Sequence, residues 1–205
     1  MRQVAVLFAR ADSIYKAIPG TDVWDIERDA RRWPGGAPVV AHPPCARWSK
    51  MNGVVLSRYP HKADEFAWGN DGGLFEFALT QVRRWGGVLE HPADSRAFGH
   101  YGLPRAGRGP DRFGGWVCEI RQCDWGHRAE KRTWLYIVGA GPDELPPLPP
   151  PGAPVARCSR MASCVRTRGY VEILAKAERE HTPPAFAKWL VELARRTRVL
   201  QEVTA

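Results

Sequence analysis

Short apolar runs ended by proline, one long helical period framed by two of those runs, and links short enough for strand-helix-strand units predict a single α/β domain with a mostly parallel sheet. A length of 205 residues fits one domain of ordinary size, and 44% hydrophobic with 25% charged residues supplies a core and excludes a disordered chain. The expected organisation is an α/β core over residues 1–140, a proline-rich connector over 141–156, and a C-terminal helical segment over 157–205 that packs on the core as a basic tail.

Residues 4–8 (VAVLF) read as the first strand, residues 12–18 as about two helical turns, and residues 22–25 (DVWD) as the second strand. Residues 38–41 (PVVA) form a third apolar run, and Pro43 and Pro44 end it in a rigid loop. Cys45 therefore sits on a loop at a strand's carboxyl end, the edge where open α/β sheets bind ligands. Over residues 71–85, Leu74, Phe75, Ala78, Leu79 and Val82 recur with helical period, Asp71 is available as a cap, and Arg83 and Arg84 suit the far end. Gly86 and Gly87 close that helix, and residues 87–90 begin a strand that runs into His91 and Pro92. A right-handed crossover places both proline-ended loops on one edge.

Residues 95–115, rich in Gly, Arg and Pro, read as a loop; residues 116–123 and 133–139 read as strands. Seven prolines between Pro142 and Pro154 predict an extended connector. The last segment predicts helices at about 169–180 and 184–198, the second with an apolar face of Ala185, Trp189, Leu190, Leu193 and Ala194 and a basic end of Arg195, Arg196 and Arg198.

Thirty Lys and Arg against 22 Asp and Glu give a net charge of +8, which favours a polyanionic partner, DNA first. No stretch of 18 apolar residues occurs and the first residues lack a secretion signal's long apolar region, so the expectation is a cytoplasmic protein without a membrane partner. Five cysteines without secretory context predict no disulfide framework. The spacings among Cys118, Cys123, His127, Cys158 and Cys164 are wider than those of zinc knuckles or ribbons, and no metal is expected. Pro44-Cys45 lacks the preceding H-x-E and the second cysteine of a zinc deaminase.

Three segments stand out in order: Ala41-His-Pro-Pro-Cys-Ala-Arg-Trp-Ser49, Leu89-Glu-His-Pro92, and the stretch from Cys123 through Arg128, Lys131 and Arg132 to Gly139. With the late His181-Thr-Pro-Pro-Ala185, they resemble the catalytic segments of DNA cytosine-5 methyltransferases, above all small phage-borne members. The resemblance implies a Rossmann-like methyltransferase fold and S-adenosylmethionine as cofactor, in a bacterial or phage-infected cell. Cytosine C5 is a poor nucleophile, and a thiolate added to C6 turns the ring into an enamine that attacks an electrophilic carbon.

On that pattern Cys45 is the nucleophile, Glu90 bonds the base at N3 and its exocyclic amine, and Arg128 and Arg132 hold the substrate. Arg47, Arg128, Lys131 and Arg132 would supply the positive charge that lowers a thiol pKa. His42, Arg47, Ser49, His91 and Lys131 would touch the substrate; His42 and His91 stand where the family usually has Gly and Asn. Phe8, Asp12, Asp25, Glu27 and Pro43 would hold the cofactor, with Trp24 as an adenine-stacking face. The turn after the first strand, Leu7-Phe-Ala-Arg-Ala-Asp-Ser13, lacks the family's glycines, which elsewhere allow close backbone approach. An alternative is therefore a methyltransferase-like domain without S-adenosylmethionine binding, which modifies pyrimidines with another donor or only binds nucleic acid or protein. No target-recognition domain has room, so the loop over 99–113 and Arg195, Arg196 and Arg198 are the expected phosphate contacts.

Overall fold

The computed structural model describes residues 1–49, 52–64, 66–158 and 172–199. Strands β1 (Val4–Leu7), β2 (Thr21–Trp24), β3 (Val39–Ala41), β4 (Gly87–Pro92), β5 (Trp116–Arg121) and β6 (Arg132–Val138) form one sheet in the order β2-β1-β3-β4-β6-β5. The first four are parallel, and β6 runs antiparallel to both β4 and β5. The mostly parallel α/β sheet expected from the sequence is thus present, with an antiparallel edge added by the last two strands.

Alternation along the strands sends residues to two buried layers, which is why the runs read as continuously apolar. Val4, Val6, Val40, Val88, Leu135 and Ile137 face one layer, while Ala5, Leu7, Ala41, Leu89, Tyr136 and Val138 face the other. Helix α1 (Asn52–Arg58) lies in the connection after β3, while α2 (Leu74–Trp85) and α3 (Arg96–His100) pack on the second face; α2 buries Phe75, Ala78, Leu79 and Val82 there. Short α4 (Lys176–Glu180) precedes α5 (Pro184–Arg196), which covers the first face. At Gly87, φ is +131° and a Cβ would lie 2.0 Å from the Val39 carbonyl oxygen, so only glycine lets β4 start beside β3.

Four local readings change. The link over residues 12–18 is a single 3-10 turn, Ile14–Ala17, because Pro19 holds Ile18 in an extended conformation (ψ 122°). Residues 95–115 contain α3, started by the Ser95 hydroxyl accepting from the Ala97 N–H. Of the helix expected at 169–180, residues 169–171 lie outside the described residues, and only Lys176–Glu180 is helical. The C-terminal helix packs on the core as expected, but as a whole layer of it: Phe186, Ala187, Leu190, Val191, Leu193 and Ala194 are fully buried.

Its basic end is spent internally. Arg195 donates to the Pro19 and Arg2 carbonyls, Arg196 pairs with Glu192 and donates to the Glu144 and Leu145 carbonyls, and Arg198 pairs with Glu144. These arginines fasten the chain's last described turn to the residues just before β1 and β2 and to the proline connector. Among the described residues no helix is long and apolar enough to cross a membrane.

The connector docks through the same helix, since the Trp189 indole N–H donates to the Pro146 and Pro147 carbonyls while its ring packs on Trp125 and Phe186. Trp189→Ala is expected to cost about 3–5 kcal/mol in urea unfolding. A loss under about 1 kcal/mol would show that this layer is not part of the cooperative core.

Candidate functional site

Parallel pairing puts the carboxyl ends of β1, β2, β3 and β4 on one edge of the sheet, and antiparallel β6 brings its amino end to the same edge, with Pro92 opposite Thr133. There the chain delivers Phe8, Asp25, the loop from His42 to Cys45, the β4 end at Glu90 and His91, and Lys131 just before β6. Strand β5 ends there too, with Arg121 opposite Arg132, and hands over Gln122. The neighbours of β1 lie on opposite sides, β2 and β3, which is the strand-order reversal at which α/β sheets open a crevice.

Glu90 is the centre of a hydrogen-bonded chain. His42 Nδ1 lies 3.0 Å from Glu90 Oε2, and His42 Nε2 lies 2.9 Å from the Tyr15 hydroxyl. On the other oxygen, Gln122 Nε2 donates to Glu90 Oε1 at 3.1 Å and also to Thr133 Oγ1 at 3.0 Å. Burial alone would raise the Glu90 pKa, but the His42 hydrogen bond and the charges of His42 and Lys131 pull it down to about 2. Glu90 is therefore a carboxylate at neutral pH, and His42 Nδ1 carries the proton between them. Burial, with Glu90 adding to it, pushes the Tyr15 phenol well above its ordinary value, so Tyr15 remains neutral.

Cys45 is half-buried beside a cavity of about 120 Å³ lined by Cys45, Ser49, His91, Pro92, Ala93, Asp94 and Ser95. Its thiol is raised above the ordinary value by burial first and then by Glu90, with Lys131 opposing. In the resting protein it is a protonated thiol. His91, only 1% exposed, packs edge-on against Phe75 with ring centroids 5.1 Å apart. Burial lowers its pKa to about 4, against Glu90 and the Pro44 carbonyl, and among the described residues neither ring nitrogen finds a well-aligned partner. A buried imidazole in that state needs an explanation, and the cavity it lines supplies one.

The cations expected to polarise Cys45 separate. Lys131, half-buried and donating to the His181 carbonyl at 3.0 Å, is the one whose charge reaches the thiol. Its own pKa is lowered, by burial, with Glu90 and the thiols of Cys158 and Cys45 opposing. Arg47 instead stacks 4.1 Å over the Phe66 ring. Arg128 pairs with Glu172 and Glu178, and Arg132 pairs with Glu119 and, at 3.6 Å, with Asp94 of the cavity wall. Arg132 thus reaches the rim through Asp94, while Arg128 braces the segment before α4.

On the β2 side, Phe8 takes φ +61° in the left-handed region, with its ring edge-on to Phe77 at 6.1 Å. That turn achieves with phenylalanine what glycine does cheaply. Asp12 is held by Arg10 at 2.9 Å. The buried Asp25 carboxylate is paired with Lys16 at 2.7 Å and accepts from the Glu27 and Arg28 N–H groups, contacts that hold its pKa low. Trp24 donates to Asp22, and the Arg28 guanidinium lies 3.9 Å over its ring. Glu27 is exposed and Pro43 buried. For S-adenosylmethionine to bind here, Asp25 and the Trp24 face would have to give up the Lys16 and Arg28 contacts they make in this structure.

Tyr15, Gln122 and Thr133 belong to the site although nothing in the sequence marks them. Gln122 reaches Glu90 only because β5 returns antiparallel beside β6, a pairing that no local pattern encodes. Among the described residues no cluster of three or more His, Cys, Asp or Glu side chains can hold a metal ion; Cys164, considered as a ligand above, lies outside the described residues. No protein-family model matches the chain, and no curated protein matches it either.

Two measurements test these electrostatics. Alkylation of Cys45 followed by peptide mass spectrometry is expected to rise with pH around a midpoint above that of an ordinary cysteine thiol; a midpoint below it would contradict a protonated resting state. His91 accepts its proton at about pH 4 when folded and near 6.5 when unfolded, so it stabilises the fold above pH 6.5 and this contribution is lost as pH falls through 4. Chemical unfolding at several pH values should show His91→Asn less acid-sensitive than the parent over that window, by up to about 3 kcal/mol. Equal slopes for the two proteins would refute a buried neutral imidazole.

Proposed function

We propose that the chain modifies C5 of a pyrimidine base by adding Cys45 to C6, first of all as an S-adenosylmethionine-dependent cytosine-C5 methyltransferase acting on DNA. The observation that carries this reading is the meeting, at one edge of the sheet, of a thiol beside a cavity, a carboxylate kept ionised, and a half-buried lysine whose charge acts on both.

The chemistry follows from these groups. Loss of the thiol proton to water frees a sulfur lone pair, which forms the S–C6 bond while the C5=C6 electron pair moves to C5. Glu90, an acceptor at neutral pH, takes a hydrogen bond from the exocyclic amine, and it meets N3 favourably once the ring takes up a proton there. The C5 electron pair then bonds to the donor's carbon as that carbon's bond to its leaving group breaks; water takes the C5 proton, and the pair left behind reforms C5=C6 as the S–C6 bond breaks, which restores the cysteine. At rest, the Glu90 charge also opposes thiolate formation at Cys45. A base that donates to Glu90 engages that charge, so substrate binding itself favours the thiolate. His42 and Gln122 act as positioning residues that fix both oxygens of Glu90.

A second reading is favoured by the β2 side, where Lys16 and Arg28 already occupy Asp25 and Trp24. On that reading a domain of the same build has lost S-adenosylmethionine and either uses another donor or only binds.

Addition to C6 makes C5 exchange its hydrogen with solvent even without a donor. Cytosine-containing DNA incubated in deuterated water is expected to gain deuterium at C5 with the parent protein and none with Cys45→Ser. With Glu90→Gln exchange should slow by roughly a hundredfold. No exchange by the parent protein would exclude covalent activation, while calorimetric titration of S-adenosylmethionine separates the two donor readings: binding on the order of micromolar selects methylation, and no heat selects the second.

A further inference from the structure

Between β3 and α2 the chain builds a surface in which cations and aromatic rings interleave. Arg47 lies 4.1 Å over Phe66, Lys62 5.9 Å over the same ring, Arg58 5.9 Å over Tyr59, and Arg96, from α3, 3.6 Å over Trp68. Tyr59 is exposed, and Phe66 and Trp68 are partly so. The pieces are joined by backbone: the Gly69 N–H donates to the Arg47 carbonyl, the Arg96 N–H to the Trp48 carbonyl, and the Asn52 side chain to the Phe66 carbonyl.

This surface begins where the cavity ends. Arg47 lies between Cys45 and Ser49, two residues of the cavity wall, and Arg96 follows Ser95, a third. Its charge is also less taken up by the fold than that of several cations elsewhere. Arg10, Arg28, Arg83, Arg128 and Arg132 are each paired with a carboxylate. Among the described residues Arg58, Lys62 and Arg96 have no carboxylate partner, and Arg58, Lys62 and Arg96 are all exposed.

We propose that this surface binds a single-stranded polynucleotide and presents one of its bases to the Cys45 cavity. The proposal rests on the function read above and adds the form of the substrate. Stacking on a ring fixes a guanidinium plane while its N–H groups stay turned outward for phosphate, so a row of such pairs is a preformed backbone clamp. Partly exposed rings and guanidinium planes offer faces to unpaired bases, and a base inside a duplex has none to give. A single strand also delivers its base without the cost of unpairing. A strand lying across Arg96 and Arg47 passes the cavity mouth, which makes the surface a guide for the neighbours of the reacting base.

The test is fluorescence anisotropy with a labelled, pyrimidine-rich DNA strand of about 12 nucleotides, its duplex, and the RNA strand of the same sequence, at low and moderate salt. The single strand is expected to bind more tightly than the duplex. Trp68→Ala should weaken it by on the order of tenfold, with Trp68→Phe restoring most of the loss. Arg96→Gln should weaken it as well and flatten the salt dependence by about one unit of slope. DNA and RNA share the phosphates and base faces used here, and whichever strand binds more tightly identifies the natural one. Equal or tighter binding of duplex, no binding of either strand, or an unchanged affinity for a folded Trp68→Ala protein would overturn the proposal. Cys45→Ser keeps the two readings separable, since it is expected to bind the strand normally; strand binding without C5 exchange by the parent protein would sink the chemistry and leave the surface standing.

Discussion

A carboxylate removed from water must be given donors or be neutralised, and the open edge of this sheet is arranged around giving them to Glu90. Its two oxygens are met from opposite sides, by His42 from the β3 loop and by Gln122 from the end of β5. Each donor is itself held, His42 against the Tyr15 hydroxyl after β1 and Gln122 against Thr133 at the start of β6. One ionised group in β4 thus links the segments that follow β1, β3 and β5 with the first residues of β6. Moving any of these strands by one residue would turn a partner to the opposite layer and leave a buried charge unmatched.

That constraint also explains what the sequence reveals and what it conceals. The strands are legible because Val4 to Leu7 and Val39 to Ala41 are apolar on both faces, and the helix at Leu74–Trp85 is legible because four core residues recur with its period. Cys45 and Glu90 are legible as loop and strand-end residues beside prolines. Their partners are not: Tyr15 reads as one more apolar residue of a short helix, and Gln122 as the end of an edge strand. Both gain meaning only from long-range pairing, which a local reading does not contain. The partners of Arg47 and Arg128 are hidden for the same reason, since an arginine's reach makes its partner a matter of tertiary structure. Phe66 takes the first, and Glu172 and Glu178 take the second.

Backbone strain points to the same edge. Phe8, Asp94 and Lys131 all adopt φ between +42° and +64°, a region that costs side-chain-bearing residues energy. Phe8 ends β1, Asp94 lines the Cys45 cavity, and Lys131 precedes β6, so the three flank the crevice. Each is held where a relaxed turn would aim the chain elsewhere. For Lys131 the consequence is concrete: its ammonium group is brought to the His181 carbonyl, where its charge acts on Glu90 and Cys45 together.

The distribution of charge divides the molecule into two functions. On the α5 side, arginines are used in fastening: Arg2 donates to the Thr197 carbonyl, Arg195 ties that helix's end to the Arg2 carbonyl ahead of β1, and Arg198 closes on Glu144. On the α3 side, Arg58, Lys62 and Arg96 rest against aromatic rings and carry their charge outward. A net charge of +8 read from composition alone averages over these two uses. Cations that bind a mobile polyanion need N–H groups left over by the fold, and those that bolt the end of α5 in place have fewer to give. Arg96 carries such unspent charge directly beside Ser95 in the chain, and Ser95 lines the Cys45 cavity.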